Sequence, residues 1–283
     1  MESSGGNVES LESVPAARRA PISSAGGFAA AKAAGTKIVM VTAYDAWTAR
    51  LLADSPVDCL LVGDSAMMVV HGEKDTLGAT PELMALHTRA VARVAGAKFI
   101  VSDMPFLSAR KGEAHALDCA SALLRAGAHA VKIEGARGHV HVIRHLVESG
   151  IPVMGHLGLT PQWVRGLGGF RVQARDQAAA KALMEDALDL EKAGVCALVL
   201  ECIPQALARD VSQALEIPTI GIGAGSGCDG QVLVLQDLLG LSPDFRPRFS
   251  RPFADGASLF QGGAAAFAEA VREGSFPSEK ESF

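Results

Sequence analysis

A chain of 283 residues that is 49% apolar has the material for one sizeable α/β core. Aromatics make up only 5%, so that core is built mostly from Ala, Val, Leu and Ile, a composition common in α/β barrels and unlike a β-sandwich. A net charge of −5 with no long basic run excludes nucleic acid as a partner, and no apolar stretch approaches the ~20 residues that span a bilayer.

Residues 1–21 are rich in Ser, Glu, Ala and Gly, and Glu2, Glu9 and Glu12 argue against a transit peptide. They are predicted to form a disordered tail, with a single barrel domain over 22–283. From Lys37 onward, short apolar runs alternate with longer Ala-rich stretches of helical period. The predicted strands are Lys37–Thr42, Cys59–Val62, Lys98–Ser102, Ala130–Ile133, Val153–Gly155, Ala197–Leu200, Thr219–Ile222 and Gln231–Leu235. Val232–Gly240 also reads as the opening of a helix. Most of these runs are continuously apolar, as in parallel strands buried on both faces. Helices are predicted over Pro81–Val94, Glu113–Ala126, His139–Ser149, Asp176–Ala193 and Pro204–Leu215, several of them closed by Gly127, Gly150 or Gly194. A final helix is predicted over Ala264–Arg272 to close the domain. Eight β–α alternations in one domain favour a single (β/α)8 TIM-type barrel with a short N-terminal extension. The five cysteines, Cys59, Cys119, Cys196, Cys202 and Cys228, lack metal spacing and read as reduced thiols.

These apolar strands end in charge. Asp64 and Ser65 follow the second, Asp103 the third, His156 the fifth and Glu201 the sixth, while Lys132 and Glu134 flank Ile133 on the fourth. In such a barrel the C-terminal strand ends form the active-site face. Lys132 and Glu134 are two apart and share a face, which is the interior if Ile133 faces the helices. Asp64 and Asp103 have a second reading as helix N-caps, Lys132 as a simple partner of Glu134, and His156 as a satisfied core histidine. Together, Asp64, Asp103 and Glu134 offer hard oxygen ligands of the kind Mg²⁺ takes. A 2-oxo acid chelating such a metal would be polarised toward an enolate, with Glu201 as base and Lys132 holding the carboxylate. That enolate would attack a one-carbon or aldehyde electrophile. Gly221–Gly225 reads either as a phosphate cradle or as a tight turn.

At these same residues the chain resembles the ketopantoate hydroxymethyltransferase family. The matching segments are Thr42-Ala43-Tyr44-Asp45, Leu61-Val62-Gly63-Asp64-Ser65, Asp103-Met104-Pro105-Phe106, Val131-Lys132-Ile133-Glu134-Gly135, Gly155-His156-Leu157-Gly158-Leu159-Thr160-Pro161-Gln162, Leu200-Glu201-Cys202 and Ile220-Gly221-Ile222-Gly223-Ala224-Gly225. They run in order from about Ile22 to a closing Phe276-Pro277-Ser278. The resemblance implies a cytoplasmic homodecamer of (β/α)8 barrels. It implies transfer of a hydroxymethyl group from 5,10-methylenetetrahydrofolate to 3-methyl-2-oxobutanoate, giving 2-dehydropantoate for pantothenate and coenzyme A synthesis. Carried over by motif, Asp64 and Asp103 are Mg²⁺ ligands with Glu134 beside the metal. Asp64, Ser65, Asp103 and Lys132 contact the oxo acid, Glu201 accepts the proton, and His156 assists in the pocket.

The chain departs from the family pattern in two places. Thr76-Leu77-Gly78-Ala79-Thr80 lacks a usual Pro, and Gly168-Gly169-Phe170-Arg171-Val172-Gln173-Ala174 lacks a Tyr hydroxyl and a final Gly. Two rivals stand beside this reading. One is a Mg²⁺-dependent lyase or mutase of the phosphoenolpyruvate mutase and isocitrate lyase kind, although the Lys-Lys-Cys-Gly-His type loop of its lyases is missing. The other is a barrel that has lost catalysis and serves as a binding subunit.

Overall fold

A computed structural model describes residues 22–242 and 247–283; the tail predicted for 1–21 lies outside the described residues. The strands are β1 Ile38–Thr42, β2 Cys59–Val62, β3 Phe99–Asp103, β4 Ala130–Glu134, β5 Val153–Gly158, β6 Ala197–Glu201, β7 Thr219–Ile222 and β8 Gly230–Leu233. Each pairs in parallel with the next, and β8 returns to β1, so the barrel closes. Helix α1 (Gly26–Ala33) precedes β1, and α2 (Ala46–Ala53) follows it. Helices α3 (Ala66–Val69) and α4 (Pro81–Ala92) separate β2 from β3. Helices α5 (Glu113–Arg125), α6 (Val140–Glu148), α7 (Gln177–Lys192) and α8 (Gln205–Ala214) follow β3, β4, β6's predecessor β5, and β6. After β8 come α9 (Leu235–Leu239) and α10 (Gly256–Arg272).

Local chemistry sets these boundaries. Asp45, Thr80 and Asp176 each accept a backbone N–H from the first turn of α2, α4 and α7. Gly127, Gly150 and Gly194 all adopt positive φ just past a helix, as the left-handed closure of a helix requires.

Strand alternation divides the core in two. Ile100, Val131, Ile133, Val153, Leu198 and Leu200 face outward and pack under the helices. Met40, Leu61, Phe99, Val101, Met154, Val199 and Val232 fill the barrel. Helix α1 stops the N-terminal end: Phe28 is fully buried and meets Phe99 edge-on at 5.2 Å. Lys32 of α1 donates to the carbonyls of Ser212 and Ile217 and pairs with Asp229 at 3.1 Å, tying α1 to the last turn of α8 and to the loops that enter β7 and β8. The barrel is thus plugged at one end and has its working face at the other.

The glycine run begins inside β7 and turns tightly against its own chain just past it. A side chain at Gly221 would meet Cys228 Sγ and Gln231 Nε2 at 3.0 Å, and one at Gly225 would meet Gln205 Cβ at 2.5 Å. Helix α10 begins earlier than the sequence suggests and buries only Gly256, leaving Leu259, Phe260 and Phe267 exposed. Among the described residues, no helix is long and apolar enough to cross a membrane.

Ala174 adopts φ 53°, the left-handed region, at the position where the resemblance leads one to expect Gly. That conformation costs an alanine roughly 1–2 kcal/mol, more than the chain entropy it saves over glycine. Ala174→Gly is expected to raise stability by about 1 kcal/mol, or roughly 3 °C in thermal midpoint, measurable by calorimetry. An unchanged or lower midpoint would show that the strain is absent.

Candidate active site

The alternation that fills the barrel with apolar side chains continues to the strand ends and there becomes charged. Phe99 and Val101 lead to Asp103; Ala130 leads to Lys132 and Glu134; Met154 leads to His156; Ala197 and Val199 lead to Glu201. Because Ile133 packs outward, Lys132 and Glu134 do project into the barrel. Strand register then sets neighbours side by side: Asp103 opposite Lys132, Glu134 opposite His156, and Gly158 opposite Glu201.

The side chains form one connected cluster. Lys132 Nζ lies 3.1 Å from Asp103 Oδ1 and 3.2 Å from His156 Nδ1. His156 Nδ1 is 3.5 Å from Glu134 Oε1, and its Nε2 is 3.2 Å from Glu201 Oε2. Asp64 sits just past β2, where its backbone N–H donates to Asp103 Oδ2 at 3.1 Å. Neither Asp64 nor Asp103 caps a helix: the residue before α3 is Ser65, and its side chain makes no cap bond either. Ser65 Oγ instead bonds the Tyr44 hydroxyl at 2.8 Å. A side chain at Gly63 would come within 2.7 Å of Ser65 Oγ, so glycine is needed for this approach.

Two contributors escaped the sequence reading. Gln162, in a short 3-10 turn after β5, donates from Nε2 to Asp64 Oδ2 at 2.8 Å and to the Met104 carbonyl at 2.9 Å. Its backbone N–H donates to Glu134 Oε2 at 3.0 Å. The other is Tyr44, fully buried, whose carbonyl also accepts from His87 Nδ1 at 2.6 Å. Both lie within motifs already quoted, but a Gln in a loop and a Tyr beyond a strand carry no catalytic signal of their own.

Electrostatics follow from crowding. Burial raises the Asp64 carboxyl well above the ordinary range, and the charges of Asp103 and Glu134 add to it; Lys132 and the Gln162 amide relieve it in part. Burial likewise raises Asp103, with Lys132 opposing. Lys132 is pushed down by burial, but Asp103, Glu134 and Asp64 more than reverse this and hold it charged. Burial and the Lys132 charge both disfavour a proton on His156, yet the Glu134 and Glu201 carboxylates carry it above its usual range. Its Nδ1 serves one neighbour at a time: neutral, it accepts from Lys132; protonated, it donates toward Glu134.

Negative charge therefore exceeds positive charge in a buried mouth, and this suits a divalent cation. Among the described residues, no three His, Cys, Asp or Glu side chains form a ready-made metal cage. Mg²⁺ needs none, since it keeps waters or substrate oxygens and takes one or two carboxylates from the protein. Asp64 and Asp103 have that chemistry. Glu134 gives one oxygen to Gln162, while its Oε1 is buried without a hydrogen-bond partner.

The family model for ketopantoate hydroxymethyltransferase matches residues 24–279. The chain belongs to that family. It is an enzyme, a hydroxymethyltransferase. Among its relatives is the 3-methyl-2-oxobutanoate hydroxymethyltransferase of Bdellovibrio bacteriovorus, 53% identical over 87% of this chain and 94% of that protein. The enzymes of the same name from Coxiella burnetii and Francisella tularensis are 50% and 47% identical, over 85% and 90% of this chain and 91% and 96% of theirs. Solved structures with the same barrel include a 2,3-dimethylmalate lyase of the phosphoenolpyruvate mutase and isocitrate lyase superfamily (TM-score 0.57, 17% identity, 92% of this chain and 91% of that one). A phosphonopyruvate hydrolase solved with oxalate and Mg²⁺ has TM-score 0.58 at 13% identity, over 91% and 92% of the chains. At such identities the likeness is one of fold, and the hydroxymethyltransferase family, not the lyase or mutase alternative, is the one this chain joins.

The raised Asp64 carboxyl has a consequence for stability. In the unfolded chain it titrates in the ordinary range, near pH 4, and in the fold it holds its proton to higher pH. Metal-free protein thus loses stability as pH rises through that window. Asp64→Asn keeps the Gln162 contact and removes the charge. It is expected to melt higher than the native chain at neutral pH without metal, by on the order of 1–3 kcal/mol, with the gap closing as pH falls toward the ordinary carboxylate range. Equal midpoints at neutral pH would contradict the assignment.

Proposed function

We propose that this enzyme transfers a hydroxymethyl group from 5,10-methylenetetrahydrofolate to 3-methyl-2-oxobutanoate, giving 2-dehydropantoate for pantothenate and coenzyme A synthesis. The observation that carries the reading is the cluster itself: a buried Lys–Asp pair, two further buried acids and a strand-end Glu converge in one barrel mouth. The names and extent of the relatives support the substrate.

Asp64 and Asp103 would hold Mg²⁺, with Glu134 alongside. When bound there, the ion supplies Lewis-acid polarisation of the 2-oxo group. Lys132 gives the substrate carboxylate a charged partner while Asp103 keeps the ammonium in place. Ser65, whose hydroxyl is paired with that of Tyr44, would be a further hydrogen-bond donor to the same anion. Gln162 braces Asp64 and Glu134 together, so the donor set is fixed before substrate arrives.

Glu201 is the base. Its side chain is 15% exposed, against 2% for His156, so it is the member of that pair more open to an incoming substrate. It takes the proton from C3, and His156 Nε2 orients the receiving carboxyl. The electron pair left at C3 forms the new bond to the donor's methylene carbon, and that carbon's bonds to nitrogen break. Over the whole reaction one water is consumed, its oxygen becoming the new hydroxyl, and tetrahydrofolate leaves.

The homodecamer and the cytoplasm belong to the same proposal. The exposed Leu259, Phe260 and Phe267 of α10 support self-assembly, since a helix of 17 residues with one buried position has no core within this chain. None of the five cysteines, all within the described residues, forms a disulfide, in keeping with a reducing compartment.

Proton exchange at C3 of 3-methyl-2-oxobutanoate in deuterated water, without folate, isolates the first step. Exchange that requires Mg²⁺ and falls by about 10²-fold or more in Glu201→Gln is the expected result. No exchange by the native enzyme with any divalent metal would overturn the mechanism.

A further inference from the structure

Helix α4 carries two polar side chains, His87 and Thr88, on the face it buries with Met84 and Val91. A helix packed on a barrel fills such positions mostly with apolar side chains, so each polar one needs a partner. Thr88 Oγ1 donates to the Met84 carbonyl at 2.7 Å, one turn back, and so accepts from Ser102 Oγ at 2.8 Å. That bond fixes α4 to β3 at the residue before Asp103. His87 reaches to the end of β1 instead, where its Nδ1 stands 2.6 Å from the Tyr44 carbonyl. Neither side chain has a part in the proton transfer above.

A carbonyl oxygen only accepts, so His87 Nδ1 carries the hydrogen. In the neutral ring that leaves a lone pair on Nε2. His71 Nε2 stands 2.9 Å from it as the donor, with the two rings edge-on at 5.2 Å. His71 follows α3, and its backbone N–H donates to the Ala66 carbonyl at 3.0 Å. The donors therefore run one way, from His71 to His87 to Tyr44. Among the described residues, no backbone N–H donates to the Tyr44 carbonyl, so His87 is what satisfies it.

Tyr44 lies two residues past β1, and its neighbours are held independently. Ala43 N–H donates to the Leu61 carbonyl at 2.9 Å, and Asp45 caps α2. His87 sets the Tyr44–Asp45 peptide between those two ties. The Tyr44 side chain is fully buried, and its hydroxyl meets Ser65 Oγ at 2.8 Å. Burial raises the phenol above its ordinary range, so it keeps its hydrogen. When that hydrogen goes to Ser65 Oγ, the serine's own is left for an anion.

We propose that His87 is a positioning residue for the 2-oxo acid: seated by His71, it sets Tyr44, and through Tyr44 the Ser65 hydroxyl that donates to the substrate carboxylate. The inference rests on the reading of Ser65 as a donor to that anion. His87 itself touches no reacting atom.

Steady-state kinetics of single and double variants tests it. A hydrogen bond to the carboxylate is made in the ground state and the transition state alike, so its loss moves KM rather than kcat. Ser65→Ala and His87→Ala are each expected to raise KM for 3-methyl-2-oxobutanoate by about tenfold, with kcat within about threefold of native. In the Ser65→Ala background, His87→Ala is expected to add less than about twofold, because the contact it positions is already gone. His87→Asn, whose amide N–H stands about where Nδ1–H does, is expected to bring KM back to within about threefold of native. His71 is exposed, so His71→Ala decides the matter where His87→Ala fails to fold. It is expected to raise the same KM by about threefold, and not at all in the Ser65→Ala background. Equal effects in both backgrounds, or a loss that His87→Asn does not restore, would show a merely structural role and overturn the proposal. If Ser65→Ala raises KM while His87→Ala and His71→Ala do not, only the positioning role is wrong. If Ser65→Ala itself leaves KM unmoved, the reading of Ser65 falls and takes the proposal with it.

Discussion

Asp64, Asp103 and Glu134 are buried in one barrel mouth and faced by Lys132 and His156, and the rest of the site is arranged around that concentration of like charge. Carboxylates so placed repel one another and lose their hydration, a cost of several kcal/mol that no packing elsewhere in the mouth returns. The Lys132–Asp103 pair offsets part of it, and Gln162 offsets more by donating to two of the acids at once. What remains unbalanced is what, on the proposed function, a bound cation would relieve. The fold keeps this arrangement because Asp64 follows β2, Asp103 and Glu134 end β3 and β4, and His156 stands on β5, neighbouring strands whose register cannot slip without turning every inward residue out.

The barrel supplies that rigidity from below. Its interior is closed by α1 at the N-terminal end, with Phe28 against Phe99, and filled by Met40, Val101, Met154 and Val199 up to the layer where charge begins. The same side-chain alternation thus makes the core and aims the chemistry. The backbone ladder runs on past the strands, with Met104 N–H donating to the Lys132 carbonyl and Leu159 N–H to the Glu201 carbonyl, so the loops bearing Pro105 and Gln162 start from fixed points.

Much of this was legible in the sequence because burial on both faces makes strands read as plain apolar runs. Cys59–Val62 and Thr219–Ile222 have the predicted bounds, whereas β3, β4 and β6 each run one residue further to include Asp103, Glu134 and Glu201. Those ends were missed because a charge looks like the end of a strand, yet in a barrel mouth it is still paired. The Gln231–Leu235 run divides between β8, which stops at Leu233, and α9, which starts at Leu235, since a short apolar stretch has no period that separates the two. The shared face of Lys132 and Glu134 followed from spacing alone. Gln162 did not, because it reaches Asp64 across 98 positions of chain, and such contacts exist only after the barrel has closed.

The central claim is that a divalent cation relieves a buried excess of negative charge which, without it, is met in part by a proton on Asp64. Titration calorimetry of Mg²⁺ into the metal-free enzyme, in buffers of different ionisation enthalpy, tests it directly. The account predicts that binding releases protons, and that the number released grows as the pH is lowered toward the ordinary carboxylate range. Mg²⁺ binding with no proton release at any pH, or no binding even with 3-methyl-2-oxobutanoate present, would contradict it.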